Sequence, residues 1–254
     1  FESIVFGPIK SRRLGTSLGV NVLPTEKKYC SFNCIYCECG WNEIDTTINV
    51  PLHKREDIKA ALKMKFESNP CEENAKIDSI TFSGNGEPTL HPEISGIVDD
   101  VIELRNQYCP QAKITILSNS TNLLREDVFS ALQKIDNPIL KLDAGTVEMY
   151  NRINKPVTAK FDAIVEKLKA FGNKCIIQTL LLRGTNDGKT ISNVSDEDFG
   201  EYIKLLKKIG PTYVMLYAID RATPEKDLEK LSVDELEIYA QKIRNEGIDV
   251  KVYG

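Results

Sequence analysis

Three cysteines stand within eight residues, Cys30-Ser31-Phe32-Asn33-Cys34-Ile35-Tyr36-Cys37, and thiolates at that density point to metal binding. Three readings compete for Cys-x3-Cys-x2-Cys. Structural zinc usually draws on paired knuckles with a second Cys/His pair at a distance, and none follows here, with His53 and His91 isolated from each other and from the loop. An electron-transfer cluster wants four thiolates. Cys39 is the local candidate for the fourth, but two residues after Cys37 it reaches a fourth corner only by distorting the loop. The third reading is an iron–sulfur cluster on Cys30, Cys34 and Cys37 with one iron left open to bind a small molecule and pass it an electron.

Elements must hold such a loop, and the chain supplies them in alternation. Strand-like segments Leu18–Val22, Ser79–Phe82, Lys113–Leu117, Ile139–Leu142, Cys175–Leu181 and Tyr213–Tyr217 alternate with helical stretches. These run from Lys54 to Glu67, Pro92 to Tyr108, Arg125 to Lys134, up to Phe171, Asp196 to Ile209 and Ser232 to Asn245. β-branched runs bounded by Gly, Pro, Asn or Asp and alternating with helices predict an α/β fold with a parallel sheet. Six strand–helix units are too few for a closed eightfold barrel, so the fold class expected is a partial (β/α)6 barrel. The loops after Phe82, Leu117, Leu142, Leu182 and Tyr217 are then expected at strand C-terminal ends, the rim where α/β folds bind ligands.

Composition narrows the class. A chain of 254 residues with 41% hydrophobic and 28% charged residues is long enough for a full core, and no linker or repeat divides it, so 1–254 is read as one domain. The formal net charge of −4 speaks against an extensive nucleic-acid surface. No apolar run has the length of a membrane span and no leader pattern opens the chain, so the expected location is cytoplasmic, without membrane contact. Of the seven cysteines, Cys71, Cys109 and Cys175 stand apart and are expected to be small buried hydrophobes.

The cysteine spacing and the aromatic at Tyr36 resemble the radical S-adenosylmethionine (radical SAM) enzymes, whose loop reads Cys-x3-Cys-x-aromatic-Cys. The resemblance implies that Cys30, Cys34 and Cys37 carry a [4Fe-4S] cluster and that S-adenosylmethionine chelates the fourth iron, with Tyr36 near the adenine. Reductive cleavage would then give a 5′-deoxyadenosyl radical that takes hydrogen from a substrate. It also implies an electron donor such as flavodoxin or ferredoxin, and a small-molecule, peptide or RNA substrate.

Later loops carry further candidates. Ser83-Gly84-Asn85-Gly86-Glu87-Pro88 follows a strand, and the Gly-Gly-Glu turn it resembles binds the methionine amino group, here with Asn85 in place of the second glycine. Ser118 and Asn119 offer short hydrogen-bonding side chains for ribose or carboxylate, or else cap the next helix, the role expected of Thr121 and Asn122. Asp143 ends a strand and either accepts a ribose hydrogen bond, orients substrate or caps the following turn. Gln178, polar in an apolar strand, needs either a ligand or an internal partner. Arg12, Arg13 and Arg221 suit an anion, though each equally suits a surface ion pair. Tyr217 either lines the cavity or packs in the core.

Phe6 to Gly19, Lys141 to Gly145, Asn154-Lys155-Pro156 and Asn186-Asp187 extend the resemblance to the wyosine-synthase-like iron–sulfur oxidoreductase branch. Wyosine synthesis itself is not expected, because no cysteine precedes Cys30 to hold a second cluster. The alternatives are a glycyl-radical-enzyme activase, another tRNA-modifying radical enzyme, or a non-catalytic electron-transfer or zinc protein.

Overall fold

A computed structural model describes residues 2–42, 51–68 and 76–254. The chain forms two compact units. The first comprises Phe1–Cys30, Asn42–Ser118 and Asn122–Pro138, and the second Ser31–Trp41, Asn119–Thr121 and Ile139–Gly254.

In the first unit β1 (Val5–Ser11) pairs antiparallel with β2 (Gly15–Val20), followed by α1 (Arg55–Ser68), β3 (Ser79–Phe82), α2 (Ile94–Tyr108), β4 (Lys113–Ser118) and α3 (Glu126–Leu132). β2, β3 and β4 are parallel neighbours. One face of these strands carries hydroxyls that satisfy one another, Ser17 with Thr81 at 2.7 Å and Ser79 with Thr115 at 2.8 Å. Apolar side chains Leu18, Ile80, Phe82, Ile114 and Ile116 alternate with them and are buried. α1 buries Ile58, Leu62 and Phe66 at four-residue spacing, and α2 buries Ile94, Ile97, Val98, Val101 and Leu104, so each helix turns one apolar stripe inward.

The second unit opens with β5 (Asn137–Lys141), whose first two residues belong to the first unit, and continues through α4 (Val147–Asn154) and α5 (Phe161–Phe171). Then come β6 (Ile176–Leu180), β7 (Leu182–Asn186), β8 (Lys189–Ser192), α6 (Asp196–Ile209), β9 (Tyr213–Tyr217), β10 (Leu228–Lys230), α7 (Val233–Arg244) and β11 (Val250–Tyr253). β5, β6, β9 and β11 run parallel in that order, and β10, β7 and β8 form a separate antiparallel sheet. Helix ends follow local chemistry. Ser195 caps α6 by accepting from the Asp198 amide at 3.3 Å, acidic residues fill its first turn, and Gly210 closes it in the left-handed region. Ser232 and Glu235 form a capping box on α7.

The six strand–helix units are present, and the expected Ser79–Phe82, Asp196–Ile209 and Tyr213–Tyr217 match the observed elements. Three expectations change. Leu182 does not end a strand: β6 stops at Leu180, and Leu182 begins the β7–β8 hairpin, whose turn places Asp187 and Gly188 at φ 51° and 70°. β1 pairs with β2 through the Phe6 to Gly19 patch, which carried no strand expectation before Leu18. Cys109 is buried as expected but disulfide-bonded, where its isolation in the sequence suggests a lone small hydrophobe. Cys175 is a buried free thiol, and Cys71 lies outside the described residues.

Candidate active site

The cysteine loop from Ser31 to Trp41 has no regular secondary structure, so its backbone groups need partners elsewhere. The end of α4 supplies them within the second unit. The Asn33 amide donates to the Asn154 carbonyl at 2.9 Å, the Ile35 amide to the Ile153 carbonyl at 3.0 Å, and the Val157 amide to the Ser31 carbonyl at 3.0 Å. Phe32 bridges Pro156, and the Glu225 amide donates to the Ile35 carbonyl at 3.2 Å. Lys155, left-handed at φ 42°, ends α4 and turns its backbone toward the loop. Cys34 is buried, Cys37 half-buried and Cys39 exposed, and none of the three is in a disulfide. Burial pushes the Cys34 thiol up to about 11, with Asp143 and Cys37 adding to the rise against the opposing Lys141 ammonium and Asn154 amide.

Asp143 organises the rest of this unit's site. Its Oδ2 accepts from the Tyr36 hydroxyl and, at 2.8 Å, from Asn154 Nδ2, while Oδ1 accepts from the Leu180 amide at 3.0 Å. Lys141 Nζ stands 3.5 Å from Oδ1, donates to the Tyr217 hydroxyl at 2.8 Å, and lies over the rings of Tyr36 and Tyr217. Burial pulls the Lys141 ammonium downward, but Asp143 and Tyr217 more than offset it and hold it above its usual range. Burial, reinforced by Asp143, raises the Tyr36 phenol well above its ordinary value, so Tyr36 acts as a neutral donor. Asn193 fixes the backbone beneath, donating to the carbonyls of Asp143 and Leu180 at 2.8 and 2.7 Å. Asp143 does not cap α4; Thr146 does.

Asn119 donates to the Ser31 hydroxyl at 2.9 Å, and its oxygen accepts from the Thr121 amide at 3.0 Å. Neither Thr121 nor Asn122 caps the next helix: the N-cap position of α3 is Arg125, with no side-chain cap hydrogen bond. Ser31 and Thr121 share a further hydrogen bond of 2.6 Å. Gln178, on β6, is buried and sits in register with Lys141 on β5 and Met215 on β9. Its side-chain amide meets no hydrogen-bonding partner among the described residues. Arg221 is exposed and pairs with Glu38 at 3.4 Å.

In the first unit, Tyr29 and Gly86 form a bridge. The Tyr29 amide donates to the Asn85 carbonyl at 2.8 Å, and the Glu87 amide to the Tyr29 carbonyl at 3.0 Å. Gly86 adopts φ 145°, open only to glycine. Asn85 Nδ2 donates to the carbonyls of Pro24 and Thr25 at 3.1 and 2.9 Å, so a side chain replaces the missing glycine with two bonds to the preceding loop. Glu87 is buried. Its Oε1 accepts from the Thr89 amide at 3.0 Å, from the Thr89 hydroxyl, and from the Ser118 hydroxyl at 2.9 Å. Ser118 therefore steadies Glu87, and Glu87 caps the following 3-10 turn. Cys30, at the end of a stretch of this unit, accepts a hydrogen bond at its carbonyl from Asn42 Nδ2 at 2.7 Å.

Lys141 and Asn154 are the residues whose importance local sequence understates. A lysine inside Ile139-Leu140-Lys141-Leu142 was a legible signal, since a buried cation needs partners. Asn154 gives no local signal, because its contact with Cys34 spans 120 residues.

The donor set suits an iron–sulfur cluster. A buried thiol held protonated by its surroundings becomes a thiolate when a metal takes the proton's place, and Asn154 already points an N–H at its sulfur. Among the described residues no group of three His, Cys, Asp or Glu side chains is placed to hold a metal ion.

A model of the radical SAM superfamily matches residues 28–192, and the chain belongs to that superfamily. Its members are enzymes that use a [4Fe-4S] cluster and S-adenosylmethionine with an external reductant. The chain is 32% identical over 238 residues to a protein named GTPase Obg from Brachyspira hyodysenteriae, and spans only 32% of that protein. It is 33% identical over 240 residues to a UPF0026 protein of Helicobacter pylori, covering 92% of this chain and 71% of the relative. Among solved structures, Streptococcus suis SuiB bound to the precursor peptide SuiA superimposes with a TM-score of 0.65 at 18% identity, over 93% of this chain and 48% of SuiB. Archaeal TYW1 gives 0.57 at 16%, over 90% and 71%. These likenesses give the fold as the radical SAM core, an α/β partial barrel with a mostly parallel sheet. No helix among the described residues is long and apolar enough to cross a membrane.

Proposed function

We propose that Cys30, Cys34 and Cys37 hold a [4Fe-4S] cluster and that the enzyme reductively cleaves S-adenosylmethionine to start a hydrogen abstraction. When bound, the cluster would supply one electron to the sulfonium, yielding methionine and a 5′-deoxyadenosyl radical. The observation that carries this reading is the spacing of Cys30, Cys34 and Cys37, none of them in a disulfide, with the Ser31–Trp41 loop pinned through its backbone by the end of α4. Residues Gly84 to Glu87 form a rigid backbone turn suited to the cofactor's amino group. Tyr36, held by Asp143, presents an aromatic wall for the adenine. Gln178, buried in β6 beside Lys141, supplies an amide for a bound polar group. Ser118 steadies the Glu87 carboxylate, and Asn119 donates to the Ser31 hydroxyl.

Residues 1–254 would act as one radical SAM domain fed by a flavodoxin- or ferredoxin-type donor. Its place would be the cytoplasm, where thiols are kept reduced for iron. The decisive test is anaerobic reconstitution followed by dithionite and S-adenosylmethionine. About four irons per chain and release of 5′-deoxyadenosine are expected. A filled cluster without 5′-deoxyadenosine would refute the reading, as would one zinc per chain without brown colour. Cys34→Ala should lose the iron that Cys39→Ala keeps.

A further inference from the structure

We propose that Asn154 is a positioning residue that sets the reduction potential at Cys34 through an N–H to sulfur hydrogen bond. Asn154 is 1% exposed. Its Nδ2 lies 3.4 Å from Cys34 Sγ and 2.8 Å from Asp143 Oδ2, so both amide hydrogens have acceptors. Reversing the amide would turn its oxygen toward the Asp143 carboxylate, so the neighbours choose the donor orientation. The carboxylate is fixed in turn by the Leu180 amide and the Tyr36 hydroxyl, and Lys141 balances its charge.

The backbone at the same residue holds the loop, because the Asn154 carbonyl accepts from the Asn33 amide. One residue therefore places the loop and aims a donor at a sulfur in it. A donor to a cysteine thiolate stabilises the added negative charge of a reduced cluster and raises its potential.

The inference rests on the cluster reading, and the experiment separates the two. Asn154→Leu keeps the approximate volume and removes both donors. After anaerobic reconstitution, an EPR-monitored redox titration of this variant should show full iron content and a more negative midpoint. The expected change is about tenfold in the reduced-to-oxidised ratio at fixed potential, which is about 59 mV for one electron. An unchanged midpoint in a fully loaded variant overturns the inference and leaves the cluster reading standing. A wild-type chain that takes up no iron overturns both. If the variant alone fails to load, pulsed EPR on the reduced wild-type cluster, in protein carrying 15N-asparagine, decides the matter: a 15N coupling supports the bond, and its absence overturns it.

Discussion

A Cβ added to Gly86 would stand 1.8 Å from the carbonyl oxygen of Tyr29, the residue that precedes Cys30. No rotamer relieves such a contact, because both partners are backbone. Tyr29 and Gly86 pair by two hydrogen bonds on either side of this approach, so the Gly-Asn-Gly-Glu turn and the entry to the cysteine loop are one piece of local structure.

Gly86→Ala is therefore expected to break the bridge. Strain at φ 145° together with the overlap should cost on the order of 3 kcal/mol, readable as a lower denaturation midpoint with an unchanged slope. S-adenosylmethionine affinity should fall with it. A variant with wild-type stability would contradict the geometry.

Legibility in the sequence differs by residue. The cysteines and the Gly84 to Glu87 turn announce themselves because their chemistry and spacing are contained in short segments. The central strands do so because buried parallel strands are short β-branched runs. The β7–β8 hairpin was hidden inside what looked like a loop, although Asn186-Asp187-Gly188 is a hairpin-turn signal. The partnerships of Asp143 were not legible at all. A carboxylate at a strand end looks alike whether it meets a ribose or a tyrosine, and its contact with Tyr36 joins residues 107 apart.

That contact makes a second prediction. Asp143→Ala removes the acceptor for Tyr36 and Asn154 and leaves the Lys141 ammonium, 16% exposed, without its carboxylate. Breaking one side of such a buried pair costs about 3–5 kcal/mol. Asp143→Asn should cost less, since an amide oxygen can still accept from Leu180, but Tyr36 and Asn154 then compete for what remains. Urea unfolding of the two metal-free variants should rank them in that order. Equal stabilities would mean that the charge of Asp143 is not what balances Lys141.

The thiols set the alkaline behaviour of the metal-free chain. Burial raises Cys34 from 9.0 to about 11, and raises Cys175 to about 12. In the window between the unfolded and folded values, the folded state holds a proton that the unfolded state has lost. Stability should therefore be fully present below about pH 9 and fall above it, by up to roughly 1.4 kcal/mol per pH unit for each group. Loading Cys34 with iron removes its share of this slope. Iodoacetamide at pH 8 should label exposed Cys39 well before Cys34, followed by peptide mass mapping; comparable rates would show that Cys34 is not buried as described.

Gln178 gives the sharpest contrast with these supporting residues. It is buried in β6 beside Lys141, yet its amide has no partner among the described residues, so removing it sacrifices no internal hydrogen bond. An apolar replacement of similar size keeps the packing, so Gln178→Leu should leave unfolding stability within about 1 kcal/mol of wild type. The loss should appear instead in ligand binding. Calorimetric titration of the reconstituted variant with S-adenosylmethionine should show about a tenfold weaker Kd, the value of one neutral hydrogen bond near 1.4 kcal/mol. Unaltered affinity with a raised KM for the hydrogen-donating substrate would move Gln178 from the cofactor to the substrate. A large loss of stability would show instead that its amide serves the fold.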